Sequence, residues 1–340
     1  MVDSLIHPNE AKPEIWVYLE HEGGNLQTVS LEILGKGRQL ADEMGWPLCG
    51  LLLGEHVVHL AAQVFEHGAD RAWVVEHPML GSFTIDAYAA ATFQTVMKGK
   101  PSVLLFGATP DGRDLAARLA VRLRTGLNAD CTDLRIKRES GVLVSEVSGF
   151  GGGVLALIEM PDHRPQMATV RPGVFPVPGN MPGSQGETIP VRVDLSPQMI
   201  KTRIIERHTS STIDLTRVPV LVAGGRGVGP DFTDLEQLAH ILGGDVGATR
   251  PPVDAGYIER ERQVGQTGVG CSPELAICCG ISGAFHFVVG IEKAETVIAI
   301  NSDPEAPIFD YADYCVVGDI HKVLPDLVQA LQAARELTHD

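Results

Sequence analysis

Apolar runs and amphipathic stretches alternate along the first half of the chain. EIWVYLE (Glu14 to Glu20), PLCGLLLG, RAWVVEH and PSVLLFGA (Pro101 to Ala108) read as strands, and between them lie helical stretches around Leu31 to Met44, around Val57 to Glu66 and from Ile85 to Lys98. Strands separated by helices predict a mainly parallel sheet covered by helices. The Pro101 run ends in the turn GATPDGRD, where Asp111 is the candidate cap for a helix from Gly112 to Arg124.

Beyond that helix the texture changes. Between Asp130 and Gly173 short β-like runs are broken by glycine, as in LRIKRESGVLVSEVSGFGGGVLALIEM, which predicts an antiparallel extension of the same domain. Val174 to Gly186, rich in proline and glycine, reads as an irregular surface excursion. After an extended run from Lys201 to Arg207, the polar stretch HTSSTIDLTR leads into a second strand–turn–helix unit, so the domain boundary is set near His208, dividing 1–207 from 208–340.

The second unit opens on VPVLVAGGRGVG, an apolar strand (Val218 to Ala223) running into a glycine turn, with a helix from Phe232 to Leu242 after it. Open parallel sheets bind ligands beyond the carboxyl ends of their strands, and glycine lets backbone N–H groups approach phosphate. By itself the turn is a weak signal, because Gly225-x-Gly227-x-Gly229 lacks the full dinucleotide spacing and a merely structural turn fits it about as well.

Composition bounds the chemistry. A length of 340 residues allows two domains, each able to bury its own core. The formal charge of −16 would repel a phosphate backbone, which argues against nucleic acid as the main partner. The opening MVDSLIHPNEAKPEIW lacks the features of an export signal, and no apolar run is long enough to predict a membrane span. Six cysteines, none spaced C-x-x-C, argue against a disulfide scaffold or a zinc or iron–sulfur site, and reduced thiols in a cytoplasmic compartment are expected. Cys278 and Cys279 lie in the apolar stretch ELAICCGISG, where buried inert thiols are expected rather than a redox pair.

Three further segments carry a specific signal: GATRPPVDAGYIERERQVGQTG (Gly247 to Gly268), CGISGAFHF (Cys279 to Phe287) and VIAINSDPEAPIFDYADYCVVGD (Val297 to Asp319). Read in order with GGRG, they resemble the FAD domain of electron transfer flavoprotein α subunits over nearly all of Val218 to Pro325. The first half resembles the same family through TGLNADCTDL (Thr125 to Leu134) and RPQMATVRPGV (Arg164 to Val174). The resemblance implies an α/β fold: an N-terminal parallel-sheet, nucleotide-hydrolase-like domain with the antiparallel extension, and a C-terminal Rossmann-like FAD-binding domain. It implies a heterodimer with a β subunit, which contacts the N-terminal domain. It also implies electron exchange between an acyl-CoA dehydrogenase or related flavoenzyme and a second partner such as a quinone oxidoreductase or a ferredoxin. The RPQMATVRPG stretch looks more like the prokaryotic anaerobic type, in which the β subunit carries a second FAD and NADH electrons are bifurcated.

FAD carries a doubly charged pyrophosphate. Ser282 and Gly283, after the run LAIC, are expected at a helix amino terminus facing that anion, with simple capping by Ser282 as the competing reading. Arg226 in the glycine turn is the natural counter-ion. Arg250 follows Thr249 and precedes two prolines that restrict its direction. Alone it reads as a surface arginine in a salt bridge; the resemblance lays it over the flavin ring, where a permanent cation favours the negatively charged reduced form. The resemblance also brings the loop Gln263, Val264, Gly265, Gln266 and Thr267 to the flavin, with the Thr267 hydroxyl near N5. Asn301 and Asp303 end the strand VIAI at the ligand edge of a parallel sheet. By resemblance Asn301 lies on the adenosine side, as does Asp319 with its neighbour Ile320; Asp319 reads nearly as well as the cap of the final helix.

The chain departs from the family at one point. Where the family commonly reads GISGA, an apolar residue, Gln and His, residues 280–287 read GISGAFHF, so Ala284 and Phe285 conform while Phe287 replaces the histidine that donates toward flavin O2. His286 is the candidate replacement donor on the pyrimidine side of the ring. Two other functions stay open at this point: a nicotinamide-dependent dehydrogenase, with Asp245 near the distance of its acidic residue, and a cofactor-free binding subunit whose glycine turns are structural.

Overall fold

The computed structural model describes residues 5–149, 154–202, 204–206 and 215–337. The chain divides into two compact units, Met1–Arg207 and His208–Asp340. The boundary position His208, most of the polar stretch after it and residues 150–153, just before Val154, lie outside the described residues.

In the first unit β1 (Lys12–Leu19) is followed by a small hairpin, β2 (His21–Glu22) with β3 (Asn25–Leu26), then α1 (Thr28–Met44), β4 (Leu48–Gly54), α2 (Ala61–Glu66), β5 (Arg71–Glu76), α3 (Ile85–Gly99), β6 (Pro101–Gly107) and α4 (Pro110–Leu123). Five strands follow: β7 (Leu127–Cys131), β8 (Asp133–Lys137), β9 (Val142–Gly149), β10 (Val154–Glu159) and β11 (Gln166–Val170), and then β12 (Glu187–Pro190). Seven of them form one wholly parallel sheet in the order β12-β5-β4-β1-β6-β11-β7.

Strand β1 is central, and its side chains alternate between two cores: Ile15, Val17 and Leu19 pack with α1, while Trp16 and Tyr18 pack with α3 and α4. Burial on both faces is why the strand reads as a continuous apolar run rather than an alternating one. Helix α1 turns Val29, Ile33, Leu34, Leu40 and Ala41 inward and stops at Gly45, whose φ of 65° supplies the left-handed turn that ends it.

Two sequence expectations change here. The cap of α4 is Thr109, whose hydroxyl accepts from the Gly112 N–H at 2.9 Å, and not Asp111. The helix starts at Pro110, a favoured first position, so Asp111 falls in the first turn, where its charge faces the positive end of the dipole. Strands β8, β9 and β10 do form an antiparallel sheet. Gln166–Val170, counted within that extension, is instead inserted between β6 and β7, buried at all five positions.

The second unit contains β13 (Val220–Gly224), α5 (Thr233–Leu242), β14 (Asp245–Ala248), α6 (Arg250–Asp254), β15 (Leu275–Cys279), α7 (Phe285–Val288), β16 (Thr296–Asn301), β17 (Tyr314–Val317) and α8 (Ile320–Leu337). Its five strands are all parallel, in the Rossmann-like order β14-β13-β15-β16-β17. Cys278 and Cys279 belong to the cores on opposite sides of β15. Burial pushes the Cys278 thiol up to about 12 and Cys279 higher still, so both stay protonated and unreactive. Among the described residues no helix is long and apolar enough to cross a membrane.

Candidate functional site

Chain order and sheet order together create the site. From β13 the chain moves outward to β14 and then crosses to β15 on the other side, so the loops after β13 and β15 diverge and leave a crevice at the carboxyl edge. The floor of the crevice is two glycine turns laced together: Gly225 N–H donates to Cys279 O at 2.8 Å, and Gly227 N–H donates to Gly280 O at 3.1 Å. A Cβ on Gly225 would run into the Gly280 carbonyl, which is the physical reason for glycine there.

Above this floor lies a cavity of about 710 Å³. It brings together Arg226 from the β13 loop; Thr249, Arg250, Gln263, Val264 and Thr267 from the segment after β14; Ser282, Ala284, His286 and Phe287 after β15; and Asn301 and Asp303 after β16. Six of the sequence-expected residues stand outside its lining: Gly265, Gln266, Gly283, Phe285, Asp319 and Ile320. Pro251, Asp254, Ala306 and Pro307 line it without having been singled out. Asp254 was within reach of sequence reasoning, since it lies four residues after Arg250 on the same helix face. The two prolines had only the segments RPPVD and PEAPIF to mark them.

Several side chains are held by the protein itself. Asn301 braces two loops: its Nδ2 donates to Ile281 O at 2.8 Å, and its Oδ1 accepts from the Asp303 N–H at 3.0 Å. Asp319 accepts from the His321 N–H at 3.1 Å and so caps α8. Ile320 packs in the core beside it. The buried Gln263 donates from Nε2 to the Thr267 hydroxyl at 2.9 Å. Gln266 N–H donates to His286 O at 2.7 Å, tying the QVGQTG loop to α7.

The expected helix start at Ser282 is not found. Helix α7 is one turn long, with Ala284 in the cap position, and Ser282 and Gly283 precede it in open loop. Gly283 has φ of 88°, and a Cβ there would collide with the Ile308 backbone, so the chain turns aside before it can coil. The loop nevertheless offers what an anion needs. The N–H groups of Ile281, Ser282, Gly283 and Ala284 donate to no acceptor among the described residues. Arg226, exposed on the opposite turn, has no ion-pair partner among them either.

The last difference concerns α7. His286 is exposed on the cavity wall, whereas Phe287 is 4% exposed and part of the core under the loop. Val264, Ile281, Phe287, Ala306 and Pro307 give the cavity an apolar wall. The apolar side chains suit a flat apolar ring, the Arg250 guanidinium and Thr267 hydroxyl that also line the cavity suit its polar edge, and the glycine floor suits a doubly charged pyrophosphate. This donor set fits FAD.

Comparison with known proteins agrees. Residues 15–196 match the electron transfer flavoprotein domain, and residues 214–292 match the electron transfer flavoprotein FAD-binding domain. An electron transfer flavoprotein subunit alpha from Thermoanaerobacterium thermosaccharolyticum is 44% identical over 323 residues, covering 94% of this chain and 98% of the relative. One of the same description from Clostridium acetobutylicum is 42% identical, covering 94% and 97%. The acryloyl-CoA reductase electron transfer subunit beta of Anaerotignum propionicum is 37% identical, covering 95% and 96%.

Proposed function

Since the chain belongs to the electron transfer flavoprotein α-subunit family, with that family's FAD-binding domain at residues 214–292, we propose that it pairs with a β subunit and carries electrons from an acyl-CoA dehydrogenase-type flavoenzyme to a second redox partner. The observation that carries this reading is the crevice itself, a cavity of about 710 Å³ lined by an anion-ready glycine floor, by the cation Arg250 and by apolar side chains. A relative described as an acryloyl-CoA reductase electron transfer subunit supports the choice of acyl-CoA chemistry. All six cysteines are free thiols, which suits work in a reducing cytoplasm.

When bound, FAD supplies the one-electron chemistry; the chain's own residues set where and how favourably it happens. The N–H groups of residues 281–284 and the Arg226 guanidinium would hold the pyrophosphate. Arg250 would lower the energy of negative charge on the ring, and Thr267 would offer it a hydrogen bond. Val264 and Phe287 would give a bound ring an apolar, water-excluding surface. No residue need act as nucleophile, since the partners exchange electrons and the single proton taken up on full reduction of the flavin can come from solvent.

NADH-dependent bifurcation, with a second FAD on the β subunit, is the narrower form of the proposal, supported by the stretch RPQMATVRPG. The test is co-purification with the β subunit, a visible spectrum and extraction of bound nucleotides. One FAD with AMP supports the simple carrier, and two FAD reduced by NADH support bifurcation. A colourless complex that refuses added FAD overturns both.

A further inference from the structure

We propose that Gln263 is a positioning residue that turns the hydroxyl proton of Thr267 into the cavity, fixing that side chain as a hydrogen-bond donor toward its occupant. A threonine hydroxyl has one proton and two lone pairs. The Gln263 amide donates to Thr267 Oγ1 at 2.9 Å and takes one of the lone pairs, so the proton has to leave in another direction. Both residues line the cavity, Thr267 exposed and Gln263 only 6% exposed.

The donor to Thr267 is itself held firmly. Gln263 N–H donates to Arg260 O at 3.0 Å, Gln263 O accepts from the Val269 N–H at 2.7 Å, and the residue bridges in parallel to Ala248 at the end of β14. A Cβ on Gly268 would strike the Gln263 carbonyl, so the turn closes tightly around this pair. Were the amide absent, the hydroxyl would rotate freely between donating and accepting. The pairing therefore selects one polarity for the group that meets the ligand, and a reduced, negatively charged ring is the form such a donor favours.

This inference rests on the FAD reading above, and its test separates the two. In the complex with the β subunit, the potential of bound FAD is measured by redox titration for Gln263→Met, Thr267→Val and the double variant, with FAD content and circular dichroism as checks. The single variants each shift the one-electron equilibrium against reduction by at least about tenfold, equal to about 59 mV, and the double variant shifts it no further than Thr267→Val. Additive shifts, or an unchanged potential in either single variant with FAD bound, overturn the positioning role while the flavoprotein reading stands. Absence of FAD from the unaltered complex overturns that reading and the inference together. If Gln263→Met does not fold, the isosteric Gln263→Glu replaces it: a carboxylate can only accept from Thr267 and draws its proton away. Its effect must then be at least about tenfold larger with Thr267 present than with valine there, and equal effects overturn the proposal.

Discussion

Arg250 and Asp254 are joined across one turn of α6, Nε to Oδ2 at 3.0 Å, at the wall of the cavity. Their side chains are 66% and 60% exposed, and a pair of this kind contributes at most about 1 kcal/mol. The guanidinium can therefore turn from Asp254 to a ligand at small cost. Arg250→Ala weakens FAD binding and disfavours reduction, by roughly 10- to 100-fold for loss of a charge-assisted contact worth about 1.5–3 kcal/mol. Asp254→Asn, which removes the competing acceptor, alters affinity by less than about fivefold. Equilibrium dialysis and redox titration measure both, and unchanged values in Arg250→Ala contradict the role.

The interlaced glycine turns tolerate no side chain. Gly225→Ala drives a methyl group against the Gly280 carbonyl and the Ile281 Cα, both backbone atoms that cannot swing away. Destabilisation of the C-terminal unit by roughly 1–3 kcal/mol and loss of FAD are expected. Gly270→Ala is the milder contrast, because nothing lies near its added methyl and its φ is outside the left-handed region. Chemical unfolding with flavin release as the signal compares the two, and equal effects would falsify the steric account.

In the N-terminal unit Glu20 lies at the end of β1 and is 8% exposed, with the Thr109 hydroxyl 2.9 and 2.8 Å from its two oxygens. Burial pushes its carboxyl up to about 7 from an ordinary 4.5, Asp111 adds to the rise, and the Thr109 hydrogen bond opposes it. A raised folded value means that the folded chain holds this proton more tightly than the unfolded chain. Its stabilisation is complete below pH 4.5 and lost as pH rises through about 7. The shift corresponds to about 3 kcal/mol. Glu20→Gln is therefore expected to match the unaltered protein at low pH and to exceed it by up to about 3 kcal/mol at pH 8 in urea unfolding. Identical pH profiles for the two would rule out a buried titrating Glu20.

His286 stands exposed on the cavity wall where the family's histidine, one position later, is replaced by the buried Phe287. If the imidazole donates to the pyrimidine edge of the ring, His286→Ala lowers the flavin potential by roughly 60–130 mV, the equivalent of one charge-assisted hydrogen bond. A potential unmoved by the substitution rejects the contact. Phe287→His does not simply restore the family arrangement, because it puts an imidazole into the packed core beneath the loop.

Much of the fold was legible because its information is local. The runs at Ile15 to Leu19 and Leu48 to Gly54 are apolar without a break because both faces of their sheet are covered, and the amphipathic stretches between them carry the helices. The cap of α4 lies two positions before Asp111 because Pro110 sets the helix start, a local effect that Thr109 before the proline already signals. Gln166–Val170 was misassigned for another reason: a short apolar strand does not encode whether its neighbours run parallel or antiparallel.

The candidate site divides the same way. Its glycine turns are marked by the strand–turn pattern at the ligand edge of a parallel sheet, while Arg250 and the QVGQTG loop are marked by resemblance to the family, because neither carries a local signal that separates it from a surface salt bridge or a polar turn. Only the tertiary structure decided that Asn301 braces the Ile281 loop, that Phe287 is packed into the core at the cavity wall while His286 stays exposed there, and that the buried Gln263 donates to Thr267. Those outcomes depend on where separate loops meet in space and on which side chain reaches an acceptor first, and residue order along one strand or turn carries no record of either.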